Sequence, residues 1–303
     1  MEELEKERAL FLKKHKKRNI IAMIIFSLFY LIATLIVIYY IGKNIGWDWP
    51  SKIYLLIWLI IYLIFLPLFY FSKGEDKDFY DNYRKSYRKN IVNKALNEIF
   101  TDVHDDYSRG LDESEISEAD IIDMGTTYKA EDYYSGKYKG ISFEVSDVKT
   151  SHAESDGESG TRIVIDFAGQ YYIFESNKKI DGKVSITKNF GIKQENNSQY
   201  ISTEDIDFNK EFLVKSTDEH LAFYVLTPAF MEKLKDIKKA HQLVVNIGFI
   251  HDKIHIAIFN KDMFEFDPFH EINVDNEVNK IKEELKVITN IVDILDLDND
   301  LYK

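Results

Sequence analysis

Residues 161–176, TRIVIDFAGQYYIFES, indicate the fold class of this chain. Apolar and polar residues alternate, and Val, Ile, Tyr and Phe are frequent, which is typical of a β-strand. Similar strand-like stretches occur at 141–148 (ISFEVSDV), 183–187 (KVSIT), 212–216 (FLVKS), 242–250 (QLVVNIGFI) and 253–260 (KIHIAIFN). Asp181 and Gly182 form a tight-turn signal between two of these strands. Helices interrupt the strands without a regular βαβ alternation, so we predict an α+β domain with a largely antiparallel sheet.

Two segments outside the strands carry apolar residues at helical spacing and predict the flanking helices. Residues 76–100 repeat the pattern through Phe79, Tyr83, Tyr87, Ile91, Ala95 and Ile99. Residues 276–295 repeat it through Val278, Ile281, Leu285, Ile288, Ile291 and Leu295.

The stretch LAFYVLTPAFMEKL, residues 221–234, joins an apolar run to a predicted helix. LAFYVL predicts a strand or an extended segment. Thr227 suits the N-cap and Pro228 suits the first helical position, where its missing N–H costs nothing. A nucleophilic Thr227 would need a neighbouring base and an oxyanion hole, and no motif signals either. Local chemistry therefore predicts a helix start rather than a catalytic site.

Two apolar runs near the N-terminus predict a membrane hairpin. Residues 20–41 and 53–71 contain no charged residue, and each run is long enough to cross a hydrocarbon core about 30 Å thick. Basic residues precede the first run and follow the second, whereas the link holds only Lys43 and Lys52. The positive-inside rule therefore predicts two spans in the cell membrane with both termini in the cytosol. Because neither span carries a charge, we expect an anchor rather than a channel or transporter.

The expected organisation follows from these patterns. It comprises a basic cytosolic N-terminus (1–19), a transmembrane hairpin (20–72, with spans 20–41 and 53–71), a juxtamembrane helix (73–105) and a cytosolic α+β domain (106–303). The juxtamembrane helix places basic side chains where they would meet anionic headgroups of the lipid bilayer. These lipid-proximal candidates are Arg84, Lys85, Arg88 and Lys89, and an ordinary solvated basic face is the alternative.

Charge and cysteine content exclude several classes of function. Residues 73–303 hold 30 Lys and Arg against 46 Asp and Glu, a net charge of −16. An acidic domain of this kind repels phosphate backbones, so we expect no nucleic-acid partner. The chain contains no cysteine, which excludes disulfides, thiol nucleophiles and cysteine-ligated zinc or iron–sulfur sites.

The weak candidates for chemistry each lack a required part. His251 and His255 would share one strand face around Asp252, but a metal would need a third ligand. Because the segment HIAIF is so apolar, one histidine in a turn and one in a strand is the favoured interpretation. The segment His104 to Asp106 resembles a metal-binding pair without its helical partners. DLDND at 296–300 resembles the start of a calcium loop but lacks the glycine at position 6. No phosphate-loop, dinucleotide or nucleophile-elbow motif occurs, so we predict no catalytic, cofactor-binding or metal residues and no cofactor.

Several segments together resemble a bacterial family, domain-of-unknown-function family 3137 (DUF3137). The segments are FAGQYYIFESNKKIDGKVSIT (167–187), FLVKSTDEHLAFYVLTPAFMEKLKDIKK (212–239), LVVNIGFIHDKIHIAI (243–258) and NIVDILDLDNDLY (290–302). The LTPAFMEKL motif and the order of the pieces carry the resemblance, which spans roughly residues 80–303. His220 and Leu221 depart from the acidic and small residues usual in the family.

The resemblance implies a membrane hairpin ahead of the domain and assigns no active-site residues. Family members often neighbour LemA-type membrane proteins, which makes a LemA-like protein a candidate partner in an envelope process. We therefore expect a membrane-anchored cytosolic interaction or scaffold module that binds a protein partner, and this favours a non-catalytic role without deciding it. The alternatives are a membrane-tethered hydrolase with dispersed site residues and a β-domain that binds lipid headgroups.

Overall fold

The structure is a computed structural model. It describes residues 2–44, 57, 60–62, 77–155, 157, 160–176, 180–188, 200–241, 244–259, 264–267 and 269–297. Contacts between residues group the chain into two units. Unit 1 contains residues 1–90 and 266–274, and unit 2 contains residues 91–265 and 275–303. The domain boundaries expected from the sequence stay predictions.

The helices and strands alternate irregularly along the described residues. The helices are α1 (Glu2–Asn44), α2 (Lys77–Tyr87), a π-helical turn (Arg88–Val92), α3 (Asn93–Ile99), α4 (Glu113–Ala119), α5 (Ile206–Glu211), α6 (Glu219–Val225), α7 (Pro228–His241) and α8 (Val274–Leu295). The strands are β1 (Thr101–Asp106), β2 (Thr127–Tyr138), β3 (Ile141–Ser155), β4 (Thr161–Glu175), β5 (Lys183–Lys188), β6 (Tyr200–Ile201), β7 (Phe212–Ser216), β8 (Val245–Ile250) and β9 (Lys253–Phe259).

In the described residues all nine strands join one sheet in the order β1-β2-β3-β4-β9-β8-β5-β7-β6. Every strand pair in this order is antiparallel. The predicted α+β fold with a large antiparallel sheet and flanking helices is therefore confirmed. The central strands are more deeply buried than the alternation suggested, since residues 167 and 169–174 of β4 are all buried. Continuous burial of this kind arises where a sheet is covered on both faces.

One face of the central strands packs against α4 and the segments that flank it. The buried cluster there comprises Leu111, Ile116, Ala119, Ile121, Tyr133, Val148, Phe167, Tyr171, Ile173 and Ala257. Polar side chains of the sheet hold this cover in place. Ser185 donates to the carbonyl of Ala119 at 2.9 Å, and Asn246 donates to the carbonyl of Ile121 at 2.7 Å. A buried polar group satisfied in this way fixes the position of the backbone that it contacts.

Helix α8 confirms the helix predicted at the C-terminal end. All six apolar residues that predicted it are buried, and Val292 joins them. Their spacing of three and four residues places them along one side of the helix, and Lys280, Glu283 and Lys286 between them are exposed. This stripe anchors α8 within unit 2.

In unit 1, the N-terminal part of α1 packs against α2. The rings of Phe11 and Phe79 stack with their centroids 3.6 Å apart. Arg8 on α1 donates to the carbonyl of His270 at 3.2 Å, and the carboxylate of Glu5 accepts from the backbone N–H of Ile272 at 3.3 Å. Aromatic stacking and side-chain bonds to backbone therefore hold α1, α2 and residues 266–274 together.

The same helix α1 is long and apolar enough to cross a membrane over Leu4–Tyr40, by length and composition. It is the one helix of this kind among the described residues. The predicted second span, 53–71, lies outside the described residues apart from residue 57 and the helical residues 60–62. One long apolar N-terminal helix is therefore shown, and the two-helix hairpin is not.

The helix predicted over 76–100 is observed from Lys77 to Ile99, with the π-helical turn in its middle. Residues Thr101–Asp106 form strand β1, so the extension of this helix to residue 105 is wrong. The polar run TDVHDD buries no side chain and pairs with β2 instead of continuing the helix. Sheet pairing with a distant segment decides the structure there.

Candidate functional site

The stretch 218–234 forms two short helices around Thr227. The carboxylate of Asp218 caps α6 by accepting from the N–H of Leu221 at 3.0 Å. Thr227 caps α7 by accepting from the N–H of Phe230 at 3.2 Å, and Pro228 is the first residue of α7. The predicted helix start is therefore confirmed. The prediction of a strand for LAFYVL is wrong, because Ala222 and Val225 are buried at helical spacing.

A cavity of about 60 Å³ lies beside this helix start in unit 2. Eleven described residues line it, namely Ser176, Ile180, Val225, Thr227, Phe230, Phe249, His251, Lys253, Ile254, Leu295 and Leu297. Seven of these side chains are apolar. The cavity has room for a few water molecules or one small apolar group, and cofactor pockets of about 300–1,000 Å³ are much larger. The site suits a single side chain better than a cofactor.

The tip of the β8–β9 hairpin forms the polar side of the cavity. The N–H of Ser176 donates to the carbonyl of Asp252 at 2.7 Å, and the N–H of Ile180 donates to the carbonyl of His251 at 2.9 Å. His251 lies in the tight turn with φ of 53°. Its side chain is 70% exposed, and its Nε2 lies 3.8 Å from a carboxylate oxygen of Glu118. These backbone bonds fix the turn against the chain on the other side of the cavity.

The favoured interpretation of His251 and His255 is confirmed, because His251 belongs to the turn and His255 belongs to β9. The alternative, in which both share one strand face, is not observed. His255 is buried, and its Nδ1 lies 3.1 Å from the hydroxyl of Tyr171. The Nε2 atom of His255 is buried and has no hydrogen-bond partner in the part of the chain that the structure describes. Burial and the charge of Lys253 lower the pKa of His255 to about 4, so the imidazole is neutral at pH 7.

Lys253 lines the cavity and forms an ion pair with Glu115 of α4. This carboxylate raises the pKa of Lys253, so the side chain stays charged. The pair links β9 to α4 at the edge of the buried cluster. Within the described part of the chain, no group of three or more His, Cys, Asp or Glu side chains could hold a metal ion.

Part of this chain resembles a known protein family. The model of a family described as "Protein of unknown function (DUF3137)" matches residues 165–297. This segment belongs to the DUF3137 family. The resemblance expected from the LTPAFMEKL motif is therefore confirmed. All eleven described residues that line the cavity lie within the DUF3137 segment.

No curated protein matches the chain. Among solved structures, the crystal structure of the mycobacterial trehalose monomycolate transport factor A, TtfA, matches with 11% sequence identity and a TM-score of 0.38. The match covers 71% of this chain and 97% of that chain. A likeness at this level carries no information about function.

The remaining candidates for chemistry have structural roles or lie at the surface. His104 is exposed on β1, and Asp106 accepts from the hydroxyl of Ser108 at 2.8 Å and from its backbone N–H at 3.2 Å. These bonds lower the pKa of Asp106 and shape the turn after β1. Of the DLDND run, residues 298–300 lie outside the described residues, and Asp296 follows the end of α8 with φ of 58°.

The lipid-proximal candidates differ in exposure. Lys85 and Lys89 are exposed and Arg84 is half-buried, whereas Arg88 is only 3% exposed. Arg88 lies in the π-helical turn. Its burial argues against a direct role for Arg88 at a lipid surface.

The sequence did not predict a second polar cluster on β3 and β4. The Nδ1 of His152 lies 2.7 Å from Oδ1 of Asp166, whose side chain is only 7% exposed. This contact raises the pKa of His152, and Glu154 contributes less to the same shift. The two residues are fourteen positions apart, and the register of the β3–β4 hairpin brings them together. The alternating patterns of β3 and β4 were the sequence feature from which this strand pairing could have been predicted.

Proposed function

We propose that this protein is a membrane-anchored module that binds a protein partner in the cytosol through the cavity beside Thr227. The observation that carries the proposal is a small, mainly apolar cavity whose described lining residues all lie within the DUF3137 segment. Interface hot spots lie in well-packed, fully desolvated pockets. A cavity of about 60 Å³ lined mainly by apolar side chains has room for one small apolar group. The occupant we propose is therefore an aliphatic side chain of the partner.

The position of the cavity supports docking by a protein. Phe223 and Tyr224, on the outer side of α6, are 44% and 56% exposed, and they directly precede Val225, which lines the cavity. Exposed aromatic residues next to a pocket are typical of interfaces. They would surround the inserted side chain and exclude water from it. A LemA-like membrane protein in an envelope process is our candidate partner.

We further propose that two spans, 20–41 and 53–71, anchor the module and leave both termini in the cytosol. The long apolar part of α1 supports the first span. Tyr62 supports the second, because its hydroxyl lies 2.8 Å from the hydroxyl of Ser27 on α1 and its ring lies 4.6 Å from that of Tyr30. Anchoring confines module and partner to one layer, and the raised effective concentration allows a weak interface to function.

Reporter fusions after Arg18, Trp49 and Lys73 test this topology. We expect cytosolic reporter activity at the first and third positions and external activity at the second. External activity after Lys73 would exclude a cytosolic module.

Site-specific photo-crosslinking in cells tests the docking site. A benzophenone amino acid at Phe230, on the cavity wall, should crosslink to one protein, and the same probe at Ile206 serves as control. Ile206 is 70% exposed on α5 and does not line the cavity. Val225→Phe, which fills the cavity, should abolish the crosslink, whereas Val164→Phe at a half-buried position of β4 should retain it. Equal crosslinking from positions 206 and 230, or an unchanged crosslink in Val225→Phe, would refute the docking site.

A further inference from the structure

A groove in unit 1 has the composition of a lipid site. It has a volume of about 830 Å³ and lies between the N-terminal part of α1 and helix α2. Its apolar side is formed by Leu10, Phe11 and Phe79. Its basic side is formed by Lys13, Lys14, Lys17 and Lys85. A volume of this size is within the usual range for small-molecule sites, about 300–1,000 Å³.

The groove continues toward the membrane-spanning part of α1. A smaller recess of about 260 Å³ shares Phe11, Lys14 and Lys17 with it and is also lined by Arg18 and Ile21. Ile21 is the second residue of the apolar run 20–41. Lys17 precedes that run by three residues, which is about 4.5 Å along a helix. The lysines therefore lie at the depth of lipid headgroups if α1 spans the bilayer.

The charges that line the groove and the recess are strongly unbalanced. Among the described lining residues, Glu7 is the one acid beside five Lys and Arg side chains and His15. Lys13 and Lys17 are one helical turn apart on α1, so their side chains are neighbours, and Lys85 approaches from α2. Lysine ammonium groups bind phosphate as point charges. Three exposed lysines around one groove therefore favour an anionic phosphate group.

Glu7 restricts the kind of ligand that fits the groove. Its Oε2 atom is buried and has no hydrogen-bond partner among the described residues. A carboxylate oxygen accepts hydrogen bonds, so a ligand that carries hydroxyl donors would satisfy it. A choline headgroup has no such donor, whereas a glycerol headgroup has two hydroxyl groups.

We propose that this groove binds one anionic phospholipid of the phosphatidylglycerol type. The lysines contact the phosphate, Glu7 accepts from a headgroup hydroxyl, and the acyl chains leave past Phe11 and Ile21 into the bilayer. The stacked rings of Phe11 and Phe79 hold the two helices that form the walls. The inference rests on the anchored topology proposed above and adds the class of lipid that the anchor selects.

Lipid retention by the full chain tests the inference. The wild-type protein is reconstituted in nanodiscs of equimolar phosphatidylcholine and phosphatidylglycerol, transferred to mild detergent, and analysed by native mass spectrometry. The groove variant carries Lys13→Gln, Lys17→Gln and Lys85→Gln. The matched control carries Lys6→Gln, Lys16→Gln and Lys43→Gln, which removes three exposed charges from α1 outside the groove and the recess.

We expect the wild type and the control to retain one phosphatidylglycerol. The groove variant should retain at least about tenfold less, because three lysine–headgroup attractions are lost. Added inorganic phosphate should not displace the lipid, since the acyl chains also hold it. Equal losses in the two variants would indicate general surface charge, and equal retention of phosphatidylcholine would indicate no selectivity. Either result, or displacement by inorganic phosphate, overturns the proposal.

Extraction with alkaline carbonate separates this inference from the proposed function. If the wild type resists extraction but retains no phosphatidylglycerol, only the lipid site is refuted. If the wild type is extracted, the anchor and the lipid site are both refuted. The groove variant should resist extraction and retain the crosslink from position 230, since its changes lie outside the span and the cavity.

Discussion

Acidification should destabilise unit 2 through His255. The pKa of this imidazole is about 4 in the folded protein, against an ordinary value of 6.5, chiefly because the side chain is buried. Between these values the unfolded chain binds a proton that the folded protein does not, so stability falls as pH falls. From about pH 7.5 to about pH 5, this single group should lower the free energy of unfolding by about 2 kcal/mol.

The variant His255→Gln isolates this contribution, because glutamine does not titrate. Urea unfolding followed by near-ultraviolet circular dichroism, to which buried tyrosines contribute, gives the free energy of unfolding at each pH. The wild type should lose about 2 kcal/mol more than His255→Gln over this range. The comparison of wild type with His255→Gln is needed because the titration of His152 changes stability with pH in the opposite direction. Its raised pKa gives a stabilisation that is complete below about pH 6.5 and is lost as pH rises.

Tyr171→Phe provides the matched control. It removes the hydroxyl that contacts Nδ1 of His255 but leaves the imidazole buried. We expect lower stability at every pH and a pH dependence like that of the wild type, because burial dominates the shift. If His255→Gln loses as much stability as the wild type on acidification, the imidazole is not held neutral and this reasoning fails.

Two further predictions concern single residues of unit 2. Thr227→Ala should lower the free energy of unfolding by about 0.5–2 kcal/mol through loss of the α7 cap. Thr227→Ser keeps the hydroxyl and should be about as stable as the wild type. Equal stability of all three proteins would contradict the role of Thr227 as a cap. Gly125→Ala should destabilise by more than about 1 kcal/mol, because Gly125 has φ of 55° and a Cβ there would lie 2.5 Å from the carbonyl oxygen of Ser151. Thermal melting measures both effects. Gly140→Ala is the control for the second, because Gly140 also has positive φ but an added Cβ there would meet open space. The difference between the two glycine variants separates backbone strain from the steric clash.

Local patterns predicted the elements whose structure depends on neighbouring residues. The alternation over 161–176 gave strand β4, the spacing from Val278 to Leu295 gave α8, and Thr227 with Pro228 gave the start of α7. Each of these signals arises within one element, where side-chain periodicity or a cap is sufficient. LAFYVL was mistaken for a strand because a short apolar run fits a strand or a buried helix equally well. Packing of Ala222 and Val225 decided that it is helical.

The candidate sites depend on residues that are far apart in sequence. The cavity joins residues from 176 to 297, and the groove joins α1 to α2 across the predicted hairpin. His255 meets Tyr171 because β4 pairs with β9, although the two residues are 84 positions apart. No periodicity of one segment can predict such a pairing.

The sequence by itself determined the apolar N-terminal helix, the strand-rich acidic domain and the family of residues 165–297. These properties follow from composition and from short-range patterns. Only the tertiary structure decided the strand order, the burial of Arg88 and His255, and the residues that enclose the cavity and the groove. The physical reason is that burial and charge neighbourhoods are set by contacts between distant segments, and these contacts exist only in the folded chain.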